Sequence, residues 1–286
     1  MSDITSIAVI GAGTMGSGIA LTAAMCGMKA FQIDVSADQL NRAKSYHQKT
    51  LARNVEKQRM TADESNAAQS RLSYHTDMNE AAAAAFAVEA ASENVQLKKD
   101  IFWKMLETFG DNVVLATNTS SISITEIAAS VEVAAPRVIG MHFFNPVPVM
   151  KLVEVIKGLQ TSDDTVRTTV ALAQKMGKTP VAANDRAGFV SNRVLMPMIN
   201  EAFYAWMEGV AEPAAIDEIM KLGMAHPMGP LRLADLIGLD VCHDIMMVLY
   251  RELGDQKYFP CPLLRQLIAA KRLGDKTGRG VYDYAK

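Results

Sequence analysis

The chain has 286 residues, a formal net charge of −2 and 49% hydrophobic residues, which is enough apolar material for one large domain or two ordinary ones. The charge is nearly balanced and forms no basic block, which argues against nucleic acid and anionic membranes as main partners. The three cysteines lie far apart without a CxxC pair, so neither a disulfide framework nor a cysteine-rich metal site is favoured. We see no signal peptide and no run of 18 strongly apolar residues, and we therefore expect a cytoplasmic protein that spans no membrane.

The N-terminal segment has the pattern of a strand, a helix and a second strand. An apolar run over residues 7–10 precedes a cluster of glycines, and a helix of small residues then ends near Gly27. The second apolar run, KAFQI, is followed directly by Asp34. This order predicts a βαβ unit within a parallel sheet.

Residues 36–71 form a long, charged segment with helical periodicity, which exceeds an ordinary crossover helix. We interpret it as a helical arm that projects from the sheet. Its positive charges are consistent both with a solvated helix face and with a basic rim for an anionic ligand. The basic residues of the arm include Arg42, Lys44, Lys49, Arg53 and Lys57.

The next hundred residues continue the alternation of strands and helices. After an alanine-rich helix end, the strand candidates in chain order are FAVEAAS, taken as the third strand, then NVVLATNTSS, RVIGMHFF, MKLVEVIKG and TPVAAND. The helix candidates among them are LKKDIFWKMLETFG and DTVRTTVALAQKMG, the latter ending at Gly177.

After residue 184 the strand patterns stop and helical patterns dominate. We therefore predict an α/β protein with two domains. Residues 1–183 form a mostly parallel, nucleotide-binding (Rossmann-type) sheet with a helical arm, and residues 184–286 form an all-helical domain. The methionine-rich helices of the second domain favour adaptable packing, either between helices or between two copies of the chain.

The glycine cluster forms the motif G-x-G-x-x-G with Gly11, Gly13 and Gly16. It follows a strand, opens a helix and precedes an acid at Asp34, which is the context of a dinucleotide site. The first glycine permits a tight turn, the second lets the backbone approach a pyrophosphate, and the third lets helix and strand pack closely. Thr14 and Met15 lie in the first helical turn, whose N–H groups bind phosphate. Because the Asp34 carboxylate would repel a 2′-phosphate, NAD is favoured over NADP.

Of five histidines none forms an HExxH motif, and no cluster of histidine and acidic residues has metal-ligand spacing, so we expect no metal. His142 ends a strand in the second half of the sheet, where ligands of open α/β sheets bind. The stiff segment 145–148, Asn-Pro-Val-Pro, lets the chain return as MKLVEV, which brings Glu154 behind the imidazole. A general base with an orienting carboxylate fits this arrangement; a strand-end histidine bonded to a backbone carbonyl fits the spacing equally well.

Seven ordered segments, which together span nearly the whole chain, resemble the L-3-hydroxyacyl-CoA dehydrogenases, in particular stand-alone bacterial members acting on 3-hydroxybutyryl-CoA. These segments are GAGTMGSGIA, SENVQLKKDIF, NTSSISI, HFFNPVPVMKLVEVI, DRAGFVSNRVLMPMINEA, KLGMAHPMGPLRLADLIGLDV and GDKTGRGVYDY. The arm around residues 55–80 resembles the family least. A departure is Ala187, where the family commonly has a proline before the glycine.

The resemblance implies reversible, NAD-dependent oxidation of a 3-hydroxyacyl-CoA thioester by a homodimer that pairs through its C-terminal domain. It implies that His142 is the catalytic base and Glu154 its partner, that Ser120 hydrogen-bonds the reacting oxygen, and that Asn192 lines the same site. It further implies cofactor binding by Glu93, Lys98 and Asn118. Asn145, Lys44 and Lys49 are additional candidates for substrate binding.

Each implied residue also has an ordinary structural interpretation. Ser120 and Ser123 fit helix capping, and Ser123 and Glu126 have the spacing of a capping box. Asn192 fits a cap or a bridge between helices. Glu93 and Lys98 fit an exposed ion pair.

Two alternative functions stay open as well. One is a dehydrogenase of a free hydroxy acid such as L-gulonate, and the other is a non-enzymatic, crystallin-like protein of the same fold.

Overall fold

The computed structural model describes residues 4–284, and the chain divides into two compact units between Asp185 and Arg186. The first unit contains the sheet and the second is helical. The division lies two residues after the predicted boundary at 183/184. Within residues 4–284, no helix is long and apolar enough to cross a membrane.

The first unit is built on one eight-stranded sheet with the order β3-β2-β1-β4-β5-β6-β7-β8. Strands β1 to β6 are mutually parallel where they pair, β7 is antiparallel to β6, and β8 is parallel to β7. The predicted mostly parallel sheet is therefore confirmed. The strands are β1 (Ser6–Ile10), β2 (Lys29–Ile33), β3 (Leu72–His75), β4 (Phe86–Glu89), β5 (Val114–Thr117), β6 (Val138–Phe143), β7 (Leu152–Lys157) and β8 (Thr179–Asn184).

Helices cover both faces of the sheet, so its central strands read as continuous apolar runs rather than alternating ones. Every residue of β1, β4, β5 and β6 is buried. The helices of this unit are α1 (Thr14–Met25), α2 (Ala37–Glu56), α3 (Ala62–Ser70), α4 (Val95–Thr108), α5 (Ile124–Ser130) and α6 (Asp163–Lys175).

The helical arm consists of α2 and α3. Helix α2 buries one face, which includes His47 and Leu51, and Leu51 packs with Leu21 of α1 and Ala68 of α3. A Thr61–Glu64 capping box begins α3. The arm is thus attached to α1 along much of its length, and its charged residues occupy the opposite face.

Strand β3 is missing from the sequence prediction, which made FAVEAAS the third strand instead of the fourth. The residues of β3, LSYH, are all only half-buried, because β3 is an edge strand and is followed by a short 3₁₀ turn at Met78–Ala81. A four-residue segment with two polar residues lacks the apolar run by which strands are recognised.

The second unit has five helices among its described residues, around a core that includes Met196, Phe203, Leu239 and Leu249. Two buried aspartates hold the C-terminal segment: Asp235 accepts hydrogen bonds from the N–H groups of Val281 and Tyr282, and Asp217 accepts one from the Tyr282 hydroxyl at 2.7 Å. The helices are α7 (Ser191–Met207), α8 (Pro213–Gly223), α9 (Pro230–Ile237), α10 (Leu239–Leu253) and α11 (Pro262–Ala269).

Candidate active site

The glycine turn lies where the strand order of the sheet reverses, between β1 and β4, which is the place where ligands of doubly wound sheets bind. Gly11 has a φ of +109°, and a Cβ there would lie 2.5 Å from the carbonyl oxygen of Ala90. A Cβ on Gly16 would lie 2.0 Å from the Gly11 oxygen. Both positions therefore require glycine for backbone reasons, the first for the turn and the second for helix–strand packing.

Gly13 differs from these two glycines because a Cβ there would meet nothing within 4 Å in the unit itself. It is exposed and is the N-cap of α1, and within the described chain no side chain caps this helix and its first turn contains no acidic residue. Thr14 is exposed and Met15 half-buried in that first turn. An open, uncapped helix N-terminus of this kind fits a pyrophosphate.

Asp34 immediately follows β2 and shapes the same turn. Its Oδ2 accepts a hydrogen bond from the Ala12 N–H at 2.8 Å, and its Oδ1 accepts one from the Ser36 N–H at 2.9 Å. The carboxylate thus lies beside the glycine turn at the carboxyl edge of the sheet, where it can accept hydrogen bonds from ribose hydroxyls. The residues at this turn fit a dinucleotide.

His142 and Glu154 are brought together by the pairing of β6 with β7. The two residues lie directly opposite each other in the antiparallel register, so their side chains share one face of the sheet. The His142 Nδ1 lies 2.9 Å from the Glu154 Oε2, and both residues are buried, at 8% and 3% exposure. A buried carboxylate at Nδ1 fixes the ring orientation and favours the tautomer with the proton on Nδ1.

Asn118 begins the loop after β5 and ties it to β6. Its Oδ1 accepts a hydrogen bond from the Phe143 N–H at 2.9 Å, next to His142. The loop that carries Ser120 therefore starts beside the imidazole. This places Asn118, Ser120 and His142 at the carboxyl ends of adjacent parallel strands.

Glu93 organises the loop of Ser120. Its Oε1 accepts hydrogen bonds from the Thr119 hydroxyl at 2.5 Å, from the Ser120 N–H at 3.0 Å and from the Ser121 N–H at 3.2 Å. Burial by itself would raise the pKa of this carboxyl, but the Lys98 ammonium and the hydrogen bonds from the loop outweigh it and lower the pKa below its ordinary value.

The interpretation of Glu93 and Lys98 as an exposed ion pair is wrong for the lysine, which is buried, although the Glu93 side chain is 39% exposed. The lysine is 1% exposed, and its Nζ donates to both oxygens of Glu89 at 2.8 and 2.9 Å, while the Glu93 Oε2 lies 3.4 Å away. Glu89 was not identified from the sequence. The available signal was an acid at the end of a strand that is otherwise entirely apolar.

Lys178 was likewise not identified from the sequence. It is buried, and its Nζ donates to the carbonyl oxygens of Val147 and Met150, the latter at 2.8 Å. These bonds fix the turn that follows His142, and Val147 of this turn packs so tightly on α1 that a Cβ on Gly18 would lie 2.8 Å from it.

The remaining candidates occupy separate positions. Asn145 is exposed in the turn after β6, and Lys44 and Lys49 are exposed on α2, with the Lys44 Nζ 6.0 Å from the ring centroid of Tyr74. Asn192 belongs to the second unit, where it is buried in the first turn of α7. Ser123 caps a helix: it is the N-cap of α5 and accepts a hydrogen bond from the Glu126 N–H.

Among residues 4–284, no three histidine, cysteine or acidic side chains are grouped to hold a metal.

Comparison with known proteins agrees with this geometry. Residues 6–186 match the model of the 3-hydroxyacyl-CoA dehydrogenase NAD binding domain, and residues 188–284 match that of the 3-hydroxyacyl-CoA dehydrogenase C-terminal domain. A probable 3-hydroxybutyryl-CoA dehydrogenase of Bacillus subtilis is 54% identical, covering 99% of this chain and 98% of the relative. A 3-hydroxybutyryl-CoA dehydrogenase of Bradyrhizobium diazoefficiens is 45% identical, covering 98% and 96%.

A solved structure gives the same result. The crystal structure of (S)-3-hydroxybutyryl-CoA dehydrogenase from Ralstonia eutropha superposes with a TM-score of 0.96 at 47% identity, covering 99% of this chain and 100% of that one. The sequence resemblance, the eight-stranded sheet and the helical second unit therefore agree. The chain belongs to the 3-hydroxyacyl-CoA dehydrogenase family.

Proposed function

We propose that this protein catalyses the reversible, NAD-dependent oxidation of an (S)-3-hydroxyacyl-CoA to the 3-ketoacyl-CoA, with 3-hydroxybutyryl-CoA as a substrate. The observation that carries the proposal is the buried His142–Glu154 pair, which lies at the same sheet edge as an open dinucleotide turn. We assign residues 1–183 to cofactor binding and residues 184–286 to substrate binding and dimerisation.

The residues that would hold the cofactor surround the glycine turn. The turn shaped by Gly11, Gly13 and Gly16, together with the first turn of α1, binds the pyrophosphate, and Asp34 binds the adenosine ribose. Glu93, Lys98 and Asn118 are assigned to the nicotinamide half. Bound NAD supplies the hydride acceptor, and the protein supplies position and charge.

Proton transfer is assigned to His142. Since Nδ1 bonds Glu154, Nε2 takes the proton of the 3-hydroxyl group during oxidation and returns it during reduction. The Glu154 carboxylate stabilises the imidazolium that forms, in the same way that a buried carboxylate does beside other catalytic histidines.

Ser120 is assigned to hydrogen bonding of the reacting oxygen, supported by the way Glu93 and Asn118 hold its loop. Asn145 and Asn192 are assigned to substrate binding on the family resemblance. Lys44 and Lys49 are assigned to the phosphates of coenzyme A, supported by their exposure on α2.

A homodimer in the cytoplasm completes the proposal. The second unit exposes several large apolar side chains on α8 and just after it, namely Ile219, Leu222 and Met224 at 60%, 78% and 63% exposure. Apolar side chains grouped in this way are typical of interfaces between subunits.

An NADH-oxidation assay with acetoacetyl-CoA tests the reaction, with longer 3-ketoacyl-CoAs and NADPH for comparison. We expect turnover of acetoacetyl-CoA with NADH, and slower turnover with NADPH. Turnover of a free 3-keto acid without turnover of any CoA thioester would favour the free hydroxy-acid alternative. Binding of NADH without turnover of either would favour the non-enzymatic alternative.

A further inference from the structure

Glu89 is a buried acid that the assigned chemistry does not use. It is 0% exposed at the end of β4, and four hydrogen bonds saturate its two oxygens. Oε1 accepts from the Ala91 N–H at 2.6 Å and from Lys98 at 2.8 Å. Oε2 accepts from the Thr117 hydroxyl at 2.6 Å and from Lys98 at 2.9 Å.

Stability alone does not account for an ion pair in this place. Removing two charges from water is costly, and apolar residues of the same volume are often as stabilising. A buried pair therefore suggests a role in positioning, and the neighbours of Lys98 indicate what is positioned.

Lys98 lies between two carboxylates. Its Nζ holds Glu89 in two short bonds, and it lies 3.4 Å from the Glu93 Oε2. The other oxygen of Glu93 accepts the hydrogen bonds from residues 119–121, the loop that carries Ser120. The chain of contacts therefore runs from Glu89 through Lys98 and Glu93 to the Ser120 loop.

We propose that Glu89 is a positioning residue, which holds the Lys98 ammonium back from Glu93 so that Glu93 can keep the Ser120 loop and the nicotinamide site in place. Without the Glu89 charge, Glu93 is the remaining carboxylate beside Lys98, and the ammonium moves toward it. That movement draws Glu93 away from its donors at residues 119–121. The inference rests on the proposed function, because the groups positioned are those assigned to the cofactor and the reacting oxygen.

The Glu89→Gln variant tests this proposal. Glutamine keeps an acceptor for the Ala91 N–H but removes the charge, so the variant isolates the pairing with Lys98. We expect kcat with acetoacetyl-CoA to fall and the Kd of NADH, measured by fluorescence titration, to rise, each about 10- to 100-fold, by analogy with the loss of outer-shell partners at metal sites.

The matched control is Glu126→Gln, because Glu126 pairs with the neighbouring lysine of α4, Lys99, in an exposed ion pair. We expect its kcat and NADH affinity to match those of the wild type. A similar loss of kcat and of NADH affinity in Glu126→Gln would overturn the proposal, since the effect would then not depend on the buried pair.

Lys98→Met and the double variant separate positioning from a purely structural role. If Glu89 acts through Lys98, adding Glu89→Gln to the Lys98→Met variant should change kcat and the Kd of NADH by less than about twofold further, because the effects of coupled residues are not additive. Fully additive losses overturn the proposal, as does a Glu89→Gln protein that unfolds at lower urea concentration but retains wild-type NADH affinity.

A Glu89→Gln chain that does not fold would move the test to Glu89→Asp, which keeps the buried charge but is one methylene too short to hold Lys98 in both bonds. NADH binding at least about twofold weaker supports the proposal, in line with the loss of one hydrogen bond to a charged group, and unchanged binding overturns it. Inactivity of the wild type on acetoacetyl-CoA would count against the proposed function only, because the NADH titrations do not depend on the substrate.

Discussion

His142 obtains its carboxylate partner from the register of two strands. A shift of one residue between β6 and β7 would move Glu154 to the opposite face of the sheet, and the histidine would lose its carboxylate. The burial of both side chains strengthens their interaction, because few water molecules compete with it.

The first prediction concerns this imidazole. His142→Gln should lower kcat with acetoacetyl-CoA by about 10²–10⁴-fold, the usual contribution of a general acid–base, and leave the NADH Kd close to that of the wild type. Steady-state kinetics and fluorescence titration measure the two effects. His243→Gln is the control, because this partly exposed ring lies on α10 and pairs with Asp244. Near wild-type turnover of His142→Gln would exclude His142 as the base.

The second prediction concerns Asp34. Asp34→Ser should lower the ratio of kcat/KM for NADH to that for NADPH at least about tenfold, because the charge that repels a 2′-phosphate is removed. NADH binding should also weaken, since Asp34 holds the Ala12 and Ser36 N–H groups of the turn. Asp38→Asn, at an exposed position of α2, is the control. An unchanged cofactor ratio would show that Asp34 does not set the preference.

At the scale of elements, His47 joins three parts of the nucleotide-binding unit. Its Nε2 lies 2.8 Å from the carbonyl oxygen of Ser17 in α1, and its Nδ1 lies 2.8 Å from the Tyr74 hydroxyl in β3. Since the Ser17 oxygen requires a donor, Nε2 carries the proton, and the neutral ring then accepts from Tyr74. Burial lowers the pKa of His47 below its ordinary value of 6.5, although the Ser17 carbonyl partly opposes the shift.

This shift predicts how stability depends on pH. Below about pH 6.5 His47 is protonated in the unfolded chain, whereas in the folded chain it becomes protonated only at a lower pH. The stabilisation is therefore complete above that pH and is lost as the pH falls toward the folded-state value, by at most about 1.4 kcal/mol per pH unit.

Urea unfolding at pH 7.5 and 5.5 measures this loss. We expect the wild type to lose more free energy of unfolding between the two pH values than His47→Gln does, and His243→Gln to behave like the wild type. Equal losses in the wild type and His47→Gln would show that His47 does not titrate in this way.

At the scale of the whole molecule, the apolar side chains on and after α8 predict self-association. We expect a dimer at micromolar concentration, measured by size-exclusion chromatography with light scattering. The double variant Ile219→Lys with Leu222→Lys should shift the population toward monomer, because two charges would be buried without partners. Val133→Lys, at an 87% exposed position of the first unit, should remain a dimer. A wild-type protein that is monomeric under these conditions would contradict the predicted homodimer.

Much of the fold was predictable because it follows from local patterns. Fully apolar strands, helices with regular spacing and a glycine motif between them are properties of neighbouring residues, and they indicated the parallel sheet and the helical second half. Strand β3 was missed because a short, half-buried edge strand has no such pattern. The arm was predicted as a charged helical segment, but its attachment to α1 depends on residues as far apart as Leu21 and Leu51.

The sequence by itself determined the dinucleotide turn, since the glycine motif between a strand pattern and a helix pattern, with Asp34 at the expected spacing, is a local property of the chain. It also identified His142 and Glu154 as a candidate pair, without deciding between a base and an ordinary buried histidine. The tertiary structure decided that the two side chains meet, because only the β6–β7 register places them opposite each other. The tertiary structure likewise decided the partner of Lys98. The sequence suggested Glu93, five residues away, but Glu89 at the end of β4 lies closer to the lysine.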